Sequence, residues 1–207
     1  MSGLRLLGLV WAVFCSICLC APPARAVEVT QLRAERIDEG IYLSANLKLE
    51  IPPAVQDALS KGIALIFVAE AEVYRERWYW TDKRVAQASR VMRLAFQPLT
   101  RRWRLSQGGA DGSALRVSLT QQFDTLADAI DALESLARWR IGEAADIEAG
   151  ASHELIFRFR LDLGQLPRPF QIGIVGQRDW QILLEQRRPL RLEVRRGIDV
   201  PAEAVRP

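Results

Sequence analysis

Beyond residue 26 the sequence contains no cysteine, because Cys15, Cys18 and Cys20 all fall within the first twenty positions. Disulfide staples and thiol nucleophiles are therefore excluded from the remainder. Histidine is nearly as scarce, with His153 standing alone at the start of an expected strand, where it reads as a surface residue. Zinc sites assembled from several His or Cys ligands have no material here. A Ser-His-acid triad would have to use His153, and no Gly-x-Ser-x-Gly elbow exists to present the serine. Neither a Gly-x-x-x-x-Gly-Lys loop nor a Gly-x-Gly-x-x-Gly turn is present, and Gly173-Ile174-Val175-Gly176 reads as a strand with small residues. No cofactor is called for.

Lysine is also rare: Lys48, Lys61 and Lys83 stand against 25 arginines. Two of those arginines, Arg5 and Arg25, precede residue 27, which leaves 26 basic residues facing 25 acidic ones. A nucleic-acid binder shows a basic excess gathered on one face, so this near-balance argues against one.

Long apolar runs are missing too, with one exception. Leu6 to Cys20 carries no charge, follows Arg5, and is succeeded by Pro22-Pro23 and the small-residue site Ala24-Arg25-Ala26. This is the layout of a secretory signal peptide, with cleavage expected after Ala26; an uncleaved anchor is the alternative. The run is shorter than the roughly 20 residues of a spanning helix. The expected organisation is a leader over 1–26, a single globular domain over 27–200 and a frayed tail over 201–207. The expected location is the periplasm, with no transmembrane span after cleavage.

What remains is mostly strand. From Ile41 to Ile51 apolar residues occupy the odd positions and Tyr, Ser, Asn, Lys and Glu the even ones, which predicts a strand with one face in the core. With Val27–Ile37 and the Asp38-Glu39-Gly40 turn it forms a hairpin. Pro52-Pro53 opens a short helix that Gly62 stops. Ile63 to Trp80 is extended, and at about 3.3 Å per residue it would span roughly 60 Å, so a bend or bulge is expected near Glu70–Glu76. Arg84–Phe96 fits a helix and a strand equally; after Thr81-Asp82-Lys83 a returning strand is expected. Further strands are predicted at 101–106, 115–123, 155–163, 170–175, 180–184 and 190–194.

The apolar stripe Leu126, Ala129, Ile130, Leu133, Leu136, Ala137 predicts an amphipathic helix from Leu126 to about Trp139, capped by Thr125 with Asp128 three residues on. The fold class is β-rich α+β: an antiparallel sheet or a two-sheet sandwich with one amphipathic helix and one short one.

Several short motifs occur in one order: Arg77-Trp78-Tyr79-Trp80, Leu99-Thr100-Arg101-Arg102-Trp103-Arg104, Thr125-Leu126-Ala127-Asp128-Ala129, Leu161-Asp162-Leu163, Leu166-Pro167-Arg168-Pro169-Phe170-Gln171 and Asp179-Trp180. Together with the leader, this order resembles an uncharacterised family of exported Gram-negative proteins labelled as proline-rich signal-peptide proteins. The resemblance brings no catalytic residues, and it implies a link to envelope signalling.

Two functional readings follow. Trp78 and Trp80 share the face of Glu70 and Glu72. They are either core, turned inward by a bulge, or a binding surface extended by Arg101, Arg102 and Arg104, since Trp and Arg are enriched at hot spots. The second case makes the protein a non-enzymatic interaction module for an envelope partner. Alternatively, Glu70 and Glu72, about 6.6 Å apart by strand rise, fall within the separation of about 5–9.5 Å used by glycosidase carboxylates, which would make it an envelope glycan hydrolase. The plain reading of that pair is a solvated sheet face.

Overall fold

The alternation at Ile41–Ile51 is realised as a strand of ten residues that buries every second side chain. The computed structural model describes residues 26–77, 82–109, 119–148, 150–168 and 180–195. Among them, ten strands form two sheets. The first sheet has the order β10-β1-β2-β7, from Leu192–Arg195 (β10), Val27–Ile37 (β1), Gly40–Leu49 (β2) and Ser135–Glu143 (β7). The second has the order β6-β5-β4-β3-β8-β9, from Leu119–Phe123 (β6), Arg102–Gly109 (β5), Lys83–Gln97 (β4), Leu65–Arg75 (β3), His153–Leu161 (β8) and Leu183–Pro189 (β9).

The second sheet is antiparallel throughout. In the first, β10 runs parallel to β1, a departure from the antiparallel expectation. The cause is a switch of sheets. After β9 the chain crosses at Leu190–Arg191 and returns beside β1, where Arg33 takes Glu193 as an ion-pair partner and holds Glu35 at 3.1 Å.

Residues 84–96, ambiguous in sequence, lie within β4. Its partner β3 is 11 residues long, and their register slips between Val73 and Tyr74, inside the window where a bulge is expected. The inward residues of β2 (Ile41, Leu43, Ala45, Leu47, Leu49) and of β3 (Leu65, Phe67, Ala69, Ala71, Val73) join one continuous core. Phe67 and Phe159 stack in it with ring centroids 5.8 Å apart.

Helix α1 (Pro53–Ser60) packs against β4, with Val55, Ala58 and Leu59 buried. It ends in a Schellman motif: the Ile63 N–H donates to the Ala58 carbonyl at 3.1 Å and the Gly62 N–H to that of Leu59 at 2.9 Å, with Gly62 at φ 84°. Helix α2 (Leu126–Glu134) packs against β2, β5, β6 and β7. Its cap is the expected one, with Thr125 Oγ1 accepting from the Asp128 N–H at 3.1 Å.

The helix stops five residues short of Trp139. Ser135 is already extended, and the Glu134 carboxylate takes the Leu49 N–H at 2.6 Å, fixing the helix end to β2. Leu136 and Trp139 both face the core from β7 although they are three positions apart, an odd spacing that would put them on opposite faces of a regular strand. A bulge at Ala137–Arg138 allows this: Ser44 spans the register slip, Arg138 sits at φ 45°, and its N–H donates to Ser44 Oγ at 3.2 Å. That bulge mimics helical spacing, which is why the stripe overruns the helix.

The two sheets meet closely where β7 abuts β4. A Cβ placed on Gly142 would lie 2.7 Å from the Ala86 Cβ. Gly142→Val is expected to destabilise the protein by about 1–3 kcal/mol through this overlap, measured by urea unfolding. An unchanged midpoint would mean that the two strands part freely there.

Candidate functional site

The second sheet turns one face to the core and the other outward. On β3 the outward residues include Glu70, Glu72 and Tyr74, on β8 Arg158 and Arg160, and on β9 Glu185 and Arg187. Here the charges are paired. Glu72, 7% exposed, accepts from Arg84 at 3.1 Å on one oxygen and from Arg158 at 2.8 Å on the other. Tyr74 Oη adds a contact at 3.4 Å. Arg158 also donates to Glu185 at 2.8 Å, and Arg187 does so at 2.9 Å. Arg160 holds Glu70 at 3.4 Å.

The chain Arg84–Glu72–Arg158–Glu185–Arg187 thus crosses four strands. The Glu185 hydrogen bond is the main reason the Arg158 guanidinium is held above its ordinary pKa. The Arg158 hydrogen bond, followed by that of Arg187, draws the Glu185 carboxyl below its own. Glu70 and Glu72 do share a face, as the alternation requires, but Glu72 sits in this ladder and Glu70 in a separate pair with Arg160. Both Glu72 oxygens are occupied by guanidinium donors.

The other half of the same face is different. Outward positions on β4 and β5 carry Arg93, Arg102 and Arg104 among Gln87, Ser89, Gln97 and Ser106. Arg102 has Asp124 at 3.2 Å. Arg93 and Arg104 have no carboxylate partner among the described residues. Arg93 pairs across the strands with Ser106, which places Arg104 at its diagonal, about 7–8 Å away.

Of the residues singled out in the sequence, Arg102 and Arg104 therefore share one exposed face, and Arg101 lies in the β4–β5 turn at φ 53°. Trp103 points the other way, buried against Phe96 with ring centroids 4.9 Å apart. Trp78 and Trp80 lie outside the described residues. Arg93 is the addition, and its signal was the parity it shares with Val91 and Ala95 on the wet side of β4.

A second feature escaped the sequence reading. Between β4, β5 and β6 on one side and α2 and β7 on the other lies a cleft of about 600 Å³. Its lining includes Arg90, Gln107, Leu119, Gln121, Ala137 and Trp139. Arg90 occupies an inward position of β4, in the stripe of Ala86, Ala88, Met92 and Leu94. Its guanidinium carbon lies 5.4 Å from the Trp139 ring centroid. Burial alone moves the Arg90 pKa down from its ordinary value. The available signal was one charge at core parity in an otherwise apolar stripe.

His153, expected at the surface, is buried at the first position of β8. The neighbouring strand end covers it, with the Leu190 N–H donating to its carbonyl at 2.8 Å. Its Nδ1 lies 2.9 Å from the Ala151 carbonyl oxygen. Among the described residues no group of three His, Cys, Asp or Glu side chains is placed to hold a metal, and no helix is long and apolar enough to cross a membrane.

A family model matches residues 24–188, which takes in β1 through nearly all of β9. The chain belongs to the DUF4390 family, a domain of unknown function. The arginine face, the ion-pair ladder and the cleft all lie within the DUF4390 span, whereas the parallel strand β10 lies beyond it. No curated protein and no solved structure gives a significant match to this DUF4390 chain.

Proposed function

We propose that this DUF4390 protein is an exported, periplasmic interaction module without catalytic chemistry, and that it docks an acidic envelope protein on the arginine face of β4 and β5. The observation that carries the reading is the contrast across one sheet. On β3, β8 and β9 each outward arginine has a carboxylate within ion-pair distance. On β4 and β5, Arg93 and Arg104 have none among the described residues. Like charges at diagonal positions repel and give the fold nothing. An acidic partner would turn them into charge-assisted, fork-shaped contacts. The leader over residues 1–26 and the resemblance to exported Gram-negative proteins support the location, and the same resemblance supports a link to envelope signalling.

The hydrolase reading has weaker support. A glycosidase carboxylate must reach the glycosidic bond or its water, and both oxygens of Glu72 are already held by Arg84 and Arg158.

The test is a crosslinked pull-down from the periplasm with mass spectrometry, comparing the native protein with the triple variant R93E/R102E/R104E. The native protein is expected to retain one dominant partner with an acidic surface, less so as salt is raised. The variant, with its melting temperature unchanged, is expected to retain it about tenfold less or worse. Equal capture by the variant, or a native protein that stays a partnerless monomer, overturns the proposal.

A further inference from the structure

The cleft beneath Arg90 is separate from the arginine face, because it opens on the opposite side of β4 and β5. Its composition is unusual for the space between two sheets. Arg90 is half-buried, and a cation withdrawn even in part from water gains from an anion or strong acceptors. Part of that gain is already made, its guanidinium lying over Trp139. No carboxylate reaches it among the described residues, and the downward displacement of its pKa comes from lost hydration alone.

Leu119 makes the complementary point. It lies on the inward side of β6, opposite Gln107 of β5, yet it is 62% exposed. Among the described residues this end of the layer gathers an apolar side chain, an aromatic ring and a cation with no carboxylate partner around one hollow. Gln107 and Gln121 add amide donors and acceptors from β5 and β6. The volume, about 600 Å³, falls in the range of small-molecule sites, roughly 300–1,000 Å³.

We infer that this cleft binds a small organic carboxylate with an apolar body. The carboxylate meets the free edge of the Arg90 fork while Trp139 covers its face. The apolar body lies along Leu119 and Ala137, and polar substituents meet the two glutamines. One cation calls for a single negative charge. A phosphate dianion would require further cations or a run of backbone N–H donors, which the described lining does not offer.

The test uses the purified exported protein with 8-anilinonaphthalene-1-sulfonate, a monoanionic amphiphile, as the fluorescent reporter. Octanoate and octan-1-ol serve as competitors of equal chain length. Octanoate is expected to displace the reporter and octan-1-ol to do so about tenfold less well or worse. In Arg90→Gln the octanoate advantage is expected to vanish.

Ala137→Leu, at an exposed position of β7, adds bulk to the lining of the hollow and keeps the arginine. It is expected to abolish octanoate binding with an unchanged melting temperature. That variant keeps the test decisive if Arg90→Gln fails to fold. Equal displacement by octanoate and octan-1-ol in the native protein overturns the inference. So does native-like octanoate binding in either folded variant, or an absence of octanoate binding in the native protein.

Discussion

Phe159→Ala is expected to lower the unfolding free energy by about 3–5 kcal/mol, the largest effect of any single core truncation proposed for this chain. Phe159 is fully buried at an inward position of β8. Its neighbours across the strands are Ala69 on β3 and Leu184 on β9. The alanine opposite is what makes room for the ring, and it cannot expand to fill a vacancy. Phe67, stacked on Phe159 at 5.8 Å, would lose its aromatic partner as well as apolar contact.

Because domains of this size are stable by only about 5–15 kcal/mol, such a loss consumes a large share of the total. Urea unfolding followed by tryptophan fluorescence measures it. Phe159→Leu, which retains most of the volume, should lose far less. A change below about 1 kcal/mol for the alanine variant would mean that β8 does not anchor the core.

The elements that announce themselves in the sequence are those with one dry and one wet face. Ile41–Leu49 and Leu155–Leu161 alternate because each forms a layer between core and solvent, and both appear as strands. The helix at Leu126 is legible from its cap and its first two turns, but its end is not. Nothing local separates Leu133, the last buried helical position, from Leu136, which reaches the core from a bulged strand. That distinction is made by Glu134 and Ser44, through bonds to residues distant in the chain.

The same limit governs the candidate sites. Outward arginines on β4 and β5 follow from parity alone. That Arg93 and Arg104 have no carboxylate partner among the described residues does not, since it depends on which strand lies alongside. Glu70 and Glu72 show the converse: alternation places them on one face, but only the pairing of β3 with β8 brings Arg158 and Arg160 to them. Arg90 is visible in sequence as a charge out of phase. The cleft that explains it requires two sheets to splay apart.

The ladder on the far half of that sheet leads to the second large effect. Glu72→Ala is expected to destabilise the protein by about 2–3 kcal/mol, toward the low end for a broken buried pair because Arg84 and Arg158 retain access to water. Removing the carboxylate leaves two guanidinium groups facing each other across β3 with no charge between them. Glu72→Gln keeps the shape and one acceptor, and is expected to fall between the native protein and Glu72→Ala.

A double-mutant cycle with Arg158→Ala separates the pair from the individual losses and should show coupling, since the two groups are in direct contact. The pH dependence runs the same way. The Glu185 carboxyl lies below its ordinary value in the folded protein, chiefly through Arg158 and then Arg187. Its contribution is therefore present above the ordinary carboxylate range and is lost as pH falls through the depressed folded value. Acid should weaken the ladder, and Arg158→Ala should flatten that part of the profile.

These outcomes also discriminate between the two functions. If the carboxylates serve the sheet, Glu72 variants lose stability and partner capture follows the folded fraction. If they serve hydrolysis, Glu72→Gln abolishes activity on envelope glycan while the unfolding midpoint stays where it was.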